Sequence, residues 1–387
     1  MSAVDAGLVT SAAARVDEAL RRRDVPSALA LIAEAEATGP DDPSLKMQKA
    51  IALRLAGDFE GSLTALDAAL ALDPYNFIAL LSKGALIERL SGERAAAQVY
   101  RNALKIAPTD LPPGLQAPVA RARTVVAATA DALESWLSEQ LSATGVDCRG
   151  PAQARIAESV RVFAGKGRIY NSEPIDLHYP RLPAIPFYDR ALFPWLTDLE
   201  AATETIRAEL EPLLATRGGF NPYIDYPAHA PVNQWGELNH SQKWTSYFLW
   251  KDGEIQDQAA AECPKTVAIL QVLPLCDQDG FAPNVVFSAL EAGAHIPPHT
   301  GSTNTRLLVH LPLILPGPAR FRVGGETRDW RMGEAWVFDD TIEHEAWNNA
   351  ESLRTILILD IWNPYLEPAE RELVRAMLTA RDRFYAR

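Results

Sequence analysis

A chain of 387 residues exceeds one ordinary core and predicts two domains, or one large domain with a helical appendage; its 48% hydrophobic share is that of a globular protein. With 50 acidic against 37 basic residues the formal charge is -13, which repels phosphate backbones and anionic lipid surfaces. No basic stripe offsets that charge, so no nucleic-acid partner is expected.

The N-terminal residues lack an apolar core of roughly 7 to 15 residues behind basic ones, and no later stretch holds about 18 uninterrupted apolar residues. The expectation is a cytoplasmic chain with no membrane partner. Cys148, Cys263 and Cys276 show no CxxC spacing, which suits a reducing compartment and argues against a zinc or disulfide framework, with a Cys263 to Cys276 pair left open.

Residues 1–110 are rich in Ala and Leu at helical spacing, broken by glycines and prolines. Gly57-Asp58-Phe59 opens one amphipathic run that ends at Pro74, and Gly92-Glu93 opens another that ends at Pro108. An earlier copy starts at Arg23. This spacing and residue order resemble tetratricopeptide repeats. Each helix pair must stack on the next, which predicts a concave surface able to hold a peptide or protein partner; a structural or dimerising bundle is the plainer alternative. Residues 111–175 read as a helical linker or cap, with one long helix behind Pro112 and Pro113.

The catalytic region is expected over 176–387. Prolines and aromatics gather at 176–236, a helix follows near 197–215, and short β-branched and aromatic runs come next. They are WTSYFLW, TVAILQVL, NVVFSALEAG, TRLLVHLPLIL, ARFRV, EAWVFDD and LRTILILDIW. Strands at this spacing, with a Gly324-Gly325 turn, predict an antiparallel jelly roll, and the C-terminus returns to helix. The fold class is thus α+β multidomain: all-α repeats followed by a double-stranded β-helix with flanking helices.

Four histidines fall in the jelly roll: His295, His299, His310 and His344. A non-haem iron site needs neutral imidazoles on facing strands with positions left open, usually two His and one carboxylate. The order fits His299 at the end of one strand and His344 on a later one, but the carboxylate position two residues after His299 is Gly301. A lone strand histidine is more often a hydrogen-bonded core residue than a ligand.

HIPPHTGSTNTRLLVHLPL, VFDDTIEHEAWNN and LRTILILDIWNP, in this order, resemble the signature of the aspartyl/asparaginyl β-hydroxylase family over residues 185–368. The resemblance implies a dioxygenase that uses Fe(II), 2-oxoglutarate and O2, with the metal held by His299 and His344 alone. It implies that Arg354 grips the distal carboxylate of 2-oxoglutarate, with Ser288 and His310 around it. The family often carries a further Arg where this chain has Leu308, although Arg306 is retained and is expected with Arg354 among the groups that bind the co-substrate. His295 reads as structural, Asp339 and Asp340 as turn or metal-supporting residues, and Trp244, Trp250, Trp336, Trp347 and Trp362 as core or pocket wall.

The implied reaction hydroxylates a C–H bond, by resemblance the β-carbon of Asp or Asn in a peptide or protein. Hydroxylation of a lipid or small molecule, halogenation on the same fold, and a non-catalytic repeat scaffold are the alternatives.

Overall fold

The computed structural model describes residues 3–386 apart from Pro40 and Cys148, so the expectation for Cys148 lies outside the described residues. The chain divides into residues 1–167 and 168–387. The first unit is all helix: α1 Ala3–Arg21, α2 Val25–Thr38, α3 Pro43–Ala56, α4 Phe59–Leu72, α5 Phe77–Ser91, α6 Glu93–Lys105, α7 Pro113–Ala143 and α8 Gly150–Phe163.

Local chemistry sets these boundaries. Asp24, Asp42, Asp58 and Asn76 each accept the backbone N–H three residues on, and so satisfy donors that a helix start leaves open. Gly57 closes α3 at φ 84°, a left-handed conformation that glycine adopts without steric cost. Between α5 and α6 the helices approach closely: a Cβ at Gly84 would come within 2.5 Å of the Tyr100 ring. The Tyr100 hydroxyl donates to Glu88 at 2.6 Å, and Arg121 of α7 pairs with the same carboxylate. Residues 111–175 do not stand apart. Helices α7 and α8, which lie within the expected helical linker, belong to the first unit.

The second unit opens with α9 Leu196–Ala201 and α10 Thr203–Thr216, followed by β1 Asn221–Pro222, β2 Trp244–Lys251, β3 Glu254–Ile255, α11 Asp257–Glu262 and α12 Pro264–Gln271. Next come β4 Val285–Leu290, β5 His295–His299, β6 Arg306–Ile314, β7 Ala319–Val323, β8 Glu326–Asp329, β9 Trp336–Phe338, β10 His344–Asn348, β11 Arg354–Trp362 and α13 Pro368–Tyr385. The larger sheet has the order β1-β2-β4-β11-β6-β9, with β3 beside β2, and the smaller is β5-β10-β7-β8. Every strand pair is antiparallel, as a jelly roll requires.

Strand alternation divides the larger sheet into two faces. Phe287, Leu307, Val309, Leu357 and Leu359 pack outward with α10 and α12, whereas Trp244, Leu290 and Ile356 pack inward with Ile296, Phe321 and Val323 of the smaller sheet. TVAILQVL, expected as a strand, is helical in α12, with Thr266, Val267 and Leu270 buried at helical spacing behind Pro264. A short apolar run cannot distinguish the two periods, and Pro264 at the first turn favours the helix. The Gly324-Gly325 turn joins β7 to β8 as a two-residue hairpin, Val323 opposite Glu326. Cys263 and Cys276 are both buried free thiols, which closes the question of their pairing.

Gly84→Ala is expected to destabilise the repeat unit by about 1–3 kcal/mol, because the added methyl must displace the Tyr100 ring. A lowered denaturant midpoint followed by far-UV circular dichroism is the check, and an unchanged midpoint refutes this packing account.

Candidate active site

Strands β5 and β10 bring His299 and His344 opposite each other, with ring centroids 4.0 Å apart. A bulge at Pro297-Pro298, where two prolines lack ladder donors, sets this register and ends β5 at His299. Each ring is oriented by its own backbone. Nδ1 of His299 faces the Pro297 carbonyl at 2.8 Å, and Nδ1 of His344 faces that of Ile342 at 3.0 Å. A carbonyl only accepts, so Nδ1 carries the proton and Nε2 keeps its lone pair, the form in which imidazole ligates a metal. Burial lowers the pKa of His299 to about 4 and pushes that of His344 well below the ordinary value, so both rings are neutral near pH 7. Among the described residues, no three His, Cys, Asp or Glu side chains are grouped to hold a metal, so the pair stands without a third protein donor.

The rings open into a cavity of about 410 Å³ between the sheets. At its inner end Arg354, 1% exposed, has no carboxylate partner, and its Nε and one Nη make no hydrogen bond. Its guanidinium lies 4.5 Å over the Trp330 ring. Burial without a counter-charge lowers its pKa to about 9, which leaves it cationic. Nearby, Nδ1 of His310 and Nε1 of Trp330 are also buried without partners. Ser288 accepts the Trp244 indole N–H at 3.0 Å, so its own O–H is free to donate. Donors without acceptors dominate here, and an anion is what such a site lacks.

Arg306, expected beside the co-substrate with Arg354, lines the same cavity from its other end. It pairs with Trp362 in the ladder, eight residues along β11 from Arg354, and its Nη1 donates to Asp360 at 2.6 Å. The missing carboxylate at Gly301 also has a structural counterpart. A Cβ there would come within 1.9 Å of Asp340, whose buried carboxyl fills the space. Burial raises the pKa of Asp340 to about 7, against the lowering effect of Arg306, and its Oδ1 has no hydrogen-bond partner. Asp339 accepts from Thr341, and exposed His295 pairs with Glu345 and stacks on Trp347 outside the cavity. Trp235, which no sequence signal singled out, lies edge-on to His299 with centroids 4.9 Å apart.

The profile of the aspartyl/asparaginyl β-hydroxylase family matches residues 200–364, which include Ser288, His299, Arg306, His310, His344 and Arg354. An ornithine lipid ester-linked acyl 2-hydroxylase of Rhizobium tropici is 34% identical over 201 residues, covering 51% of this chain and 68% of that protein. The chain belongs to the aspartyl/asparaginyl β-hydroxylase family. The mouse aspartyl/asparaginyl β-hydroxylase is a further family relative, 37% identical over 142 residues, covering 36% of this chain and 19% of its own length. The chain therefore spans only a minor part of that enzyme.

Among solved structures, a cupin domain of an XRE family transcriptional regulator from Enterobacter cloacae covers 32% of this chain and 99% of its own at 12% identity, with TM-score 0.22. The first TPR of Spaghetti, bound to an HSP90 peptide, covers 31% of this chain and 90% of its own at 17% identity, with TM-score 0.28. Among the described residues, no helix is long and apolar enough to cross a membrane.

Within this family chain, glycine at 301 is a packing requirement. Gly301→Ala is expected to cost about 1–3 kcal/mol by overpacking. The double variant Gly301→Ala/Asp340→Gly should recover most of it, and additive losses in a double-mutant denaturation cycle count against the contact.

Proposed function

We propose that this hydroxylase-family chain is an Fe(II)- and 2-oxoglutarate-dependent dioxygenase that hydroxylates an unactivated C–H bond. One observation carries the reading: a buried, unpaired guanidinium shares a cavity with two imidazoles whose Nε2 lone pairs are free. The donors fit the cofactors, since neutral imidazole suits Fe(II) and a planar guanidinium suits a carboxylate.

In this reading His299 and His344 hold the metal, their Nδ1 hydrogen bonds keeping Nε2 turned to it. Arg354 grips the distal carboxylate of 2-oxoglutarate, with Ser288 and His310 as further hydrogen-bonding groups. Fe(II) with 2-oxoglutarate supplies oxidative decarboxylation by O2, giving succinate, carbon dioxide and a hydroxylated substrate carbon. The aromatic walls, Trp235, Trp244, Phe321 and Trp330, keep water from the reacting centre.

The family name supports the β-carbon of Asp or Asn in a peptide as target, with the repeat unit as a surface for the substrate. The activity for which the Rhizobium relative is named supports an acyl chain instead. Halogenation is the weaker reading, because an anion beside Gly301 would meet the Asp340 carboxyl.

Purified protein with Fe(II), 2-oxoglutarate and O2 is expected to form succinate, and His344→Ala to lose at least about 100-fold of that rate. Equal background in both proteins would instead support the non-catalytic scaffold. Arg354→Met, which removes an unpaired buried charge, should leave the ligand-free melting temperature unchanged or higher. It should also abolish the upward shift that 2-oxoglutarate gives the wild type. A large ligand-free drop in Arg354→Met would mean that the guanidinium is structural.

A further inference from the structure

The cavity has a second end, and its charges are arranged differently. Strands β6 and β11 define it by register, with His310 opposite Ile358, Leu308 opposite Asp360, and Arg306 opposite Trp362. Asp360 lies six residues from Arg354, about 20 Å along an extended strand, so the two basic groups serve different ends. Arg306 is neutralised where it stands: Asp360 accepts its Nη1 at 2.6 Å and also accepts the Asn284 backbone N–H at 2.8 Å, which holds the carboxylate in place.

The further cation at this end, Lys251, stands in solvent, where water screens its charge. Asp340 faces the same space, and Lys251 is exposed at the rim, its Nζ 5.6 Å from the Phe248 ring centroid. Between these groups the wall is aliphatic and aromatic, built by Phe248, Val286, Leu308 and Ile358. A carboxylate entering here would leave water for a surface whose one largely buried guanidinium already holds the Asp360 carboxylate, with its Nε unpartnered, at a desolvation cost that the solvent-screened Lys251 offsets little. An alkyl chain would meet no such cost.

We propose that Leu308, together with the closed Arg306–Asp360 pair, is the specificity determinant of the outer half of the cavity, admitting an uncharged aliphatic group and rejecting a carboxylate. The proposal rests on the reading of this cavity as the hydroxylation site, and it narrows the substrate class to one whose reacting segment is a neutral chain. An ionised aspartate side chain is thereby disfavoured.

The test compares N-acetyl-norleucine amide with N-acetyl-glutamate amide, which share a backbone and differ in the end of the side chain. Dissociation constants are read in the full chain from the fluorescence of the cavity tryptophans, with zinc(II) and 2-oxoglutarate present so that no turnover occurs. The wild type is expected to prefer the norleucine probe by about tenfold or more. Leu308→Arg should move the ratio of the two constants toward the glutamate probe by about tenfold, and Asp360→Asn, which frees Arg306, should move it the same way.

Any contribution of Arg354 is common to the three proteins and cancels in the comparison of ratios. A wild type that prefers the acidic probe, or a ratio unmoved by either folded variant, overturns the proposal. The oxygenase reading fails by a different signal, the absence of succinate formation with Fe(II), which leaves the probe ratios standing.

Discussion

The catalytic unit is organised around a guanidinium that the protein buries and does not pair. Burying a charge without a partner costs several kcal/mol even after relaxation, so Arg354 is tolerable only where the surrounding fold holds it in place. Strand β11 does so, flanked on both sides by paired strands and packed on its outer face against helices α10 and α12. The Trp330 ring under the guanidinium offsets part of the cost and leaves its hydrogen-bonding edge unused. The interior is therefore poised for an acceptor that the chain does not supply.

The same strand carries the opposite solution at its other end. Arg306 is largely buried too, yet Asp360 neutralises it and is itself held by a backbone N–H. One cavity thus has an electropositive inner end and a closed ion pair at its outer end, separated by aliphatic residues and by the two imidazoles of the smaller sheet. The polarity follows from β11, where alternate residues Arg354, Ile356, Ile358 and Asp360 share the inward face. A ligand with an anionic head and a neutral neighbour matches that gradient.

Residues 1–167 obey a different physics. Side-chain caps at Asp24, Asp42, Asp58 and Asn76 define the helix starts, and close contacts such as Gly84 on Tyr100 set the spacing between neighbours. The caps act within three residues and the contacts link neighbouring helices, so the pattern recurs from one helix pair to the next and stands out in the sequence. The long helix α7 and the following α8 continue this unit without a repeat signature.

Sequence alone determined the two architectures, the openings of the repeat copies near Arg23, Gly57 and Gly92, the Gly324-Gly325 hairpin and the candidate pair His299 and His344, because each is written in local chemistry or in an ordered motif. It misread TVAILQVL, where apolar composition was compatible with both periods and packing against the sheet decided for the helix. Tertiary structure alone decided which charges are paired, since Arg354 and Arg306 look equivalent as residues and differ only in whether a carboxylate reaches them. It also decided that Asp340 fills the space beside Gly301, a contact across 39 positions of sequence that no local pattern encodes. The reason is physical: burial and partner distance set the state of an ionisable group, and both are properties of the packed chain.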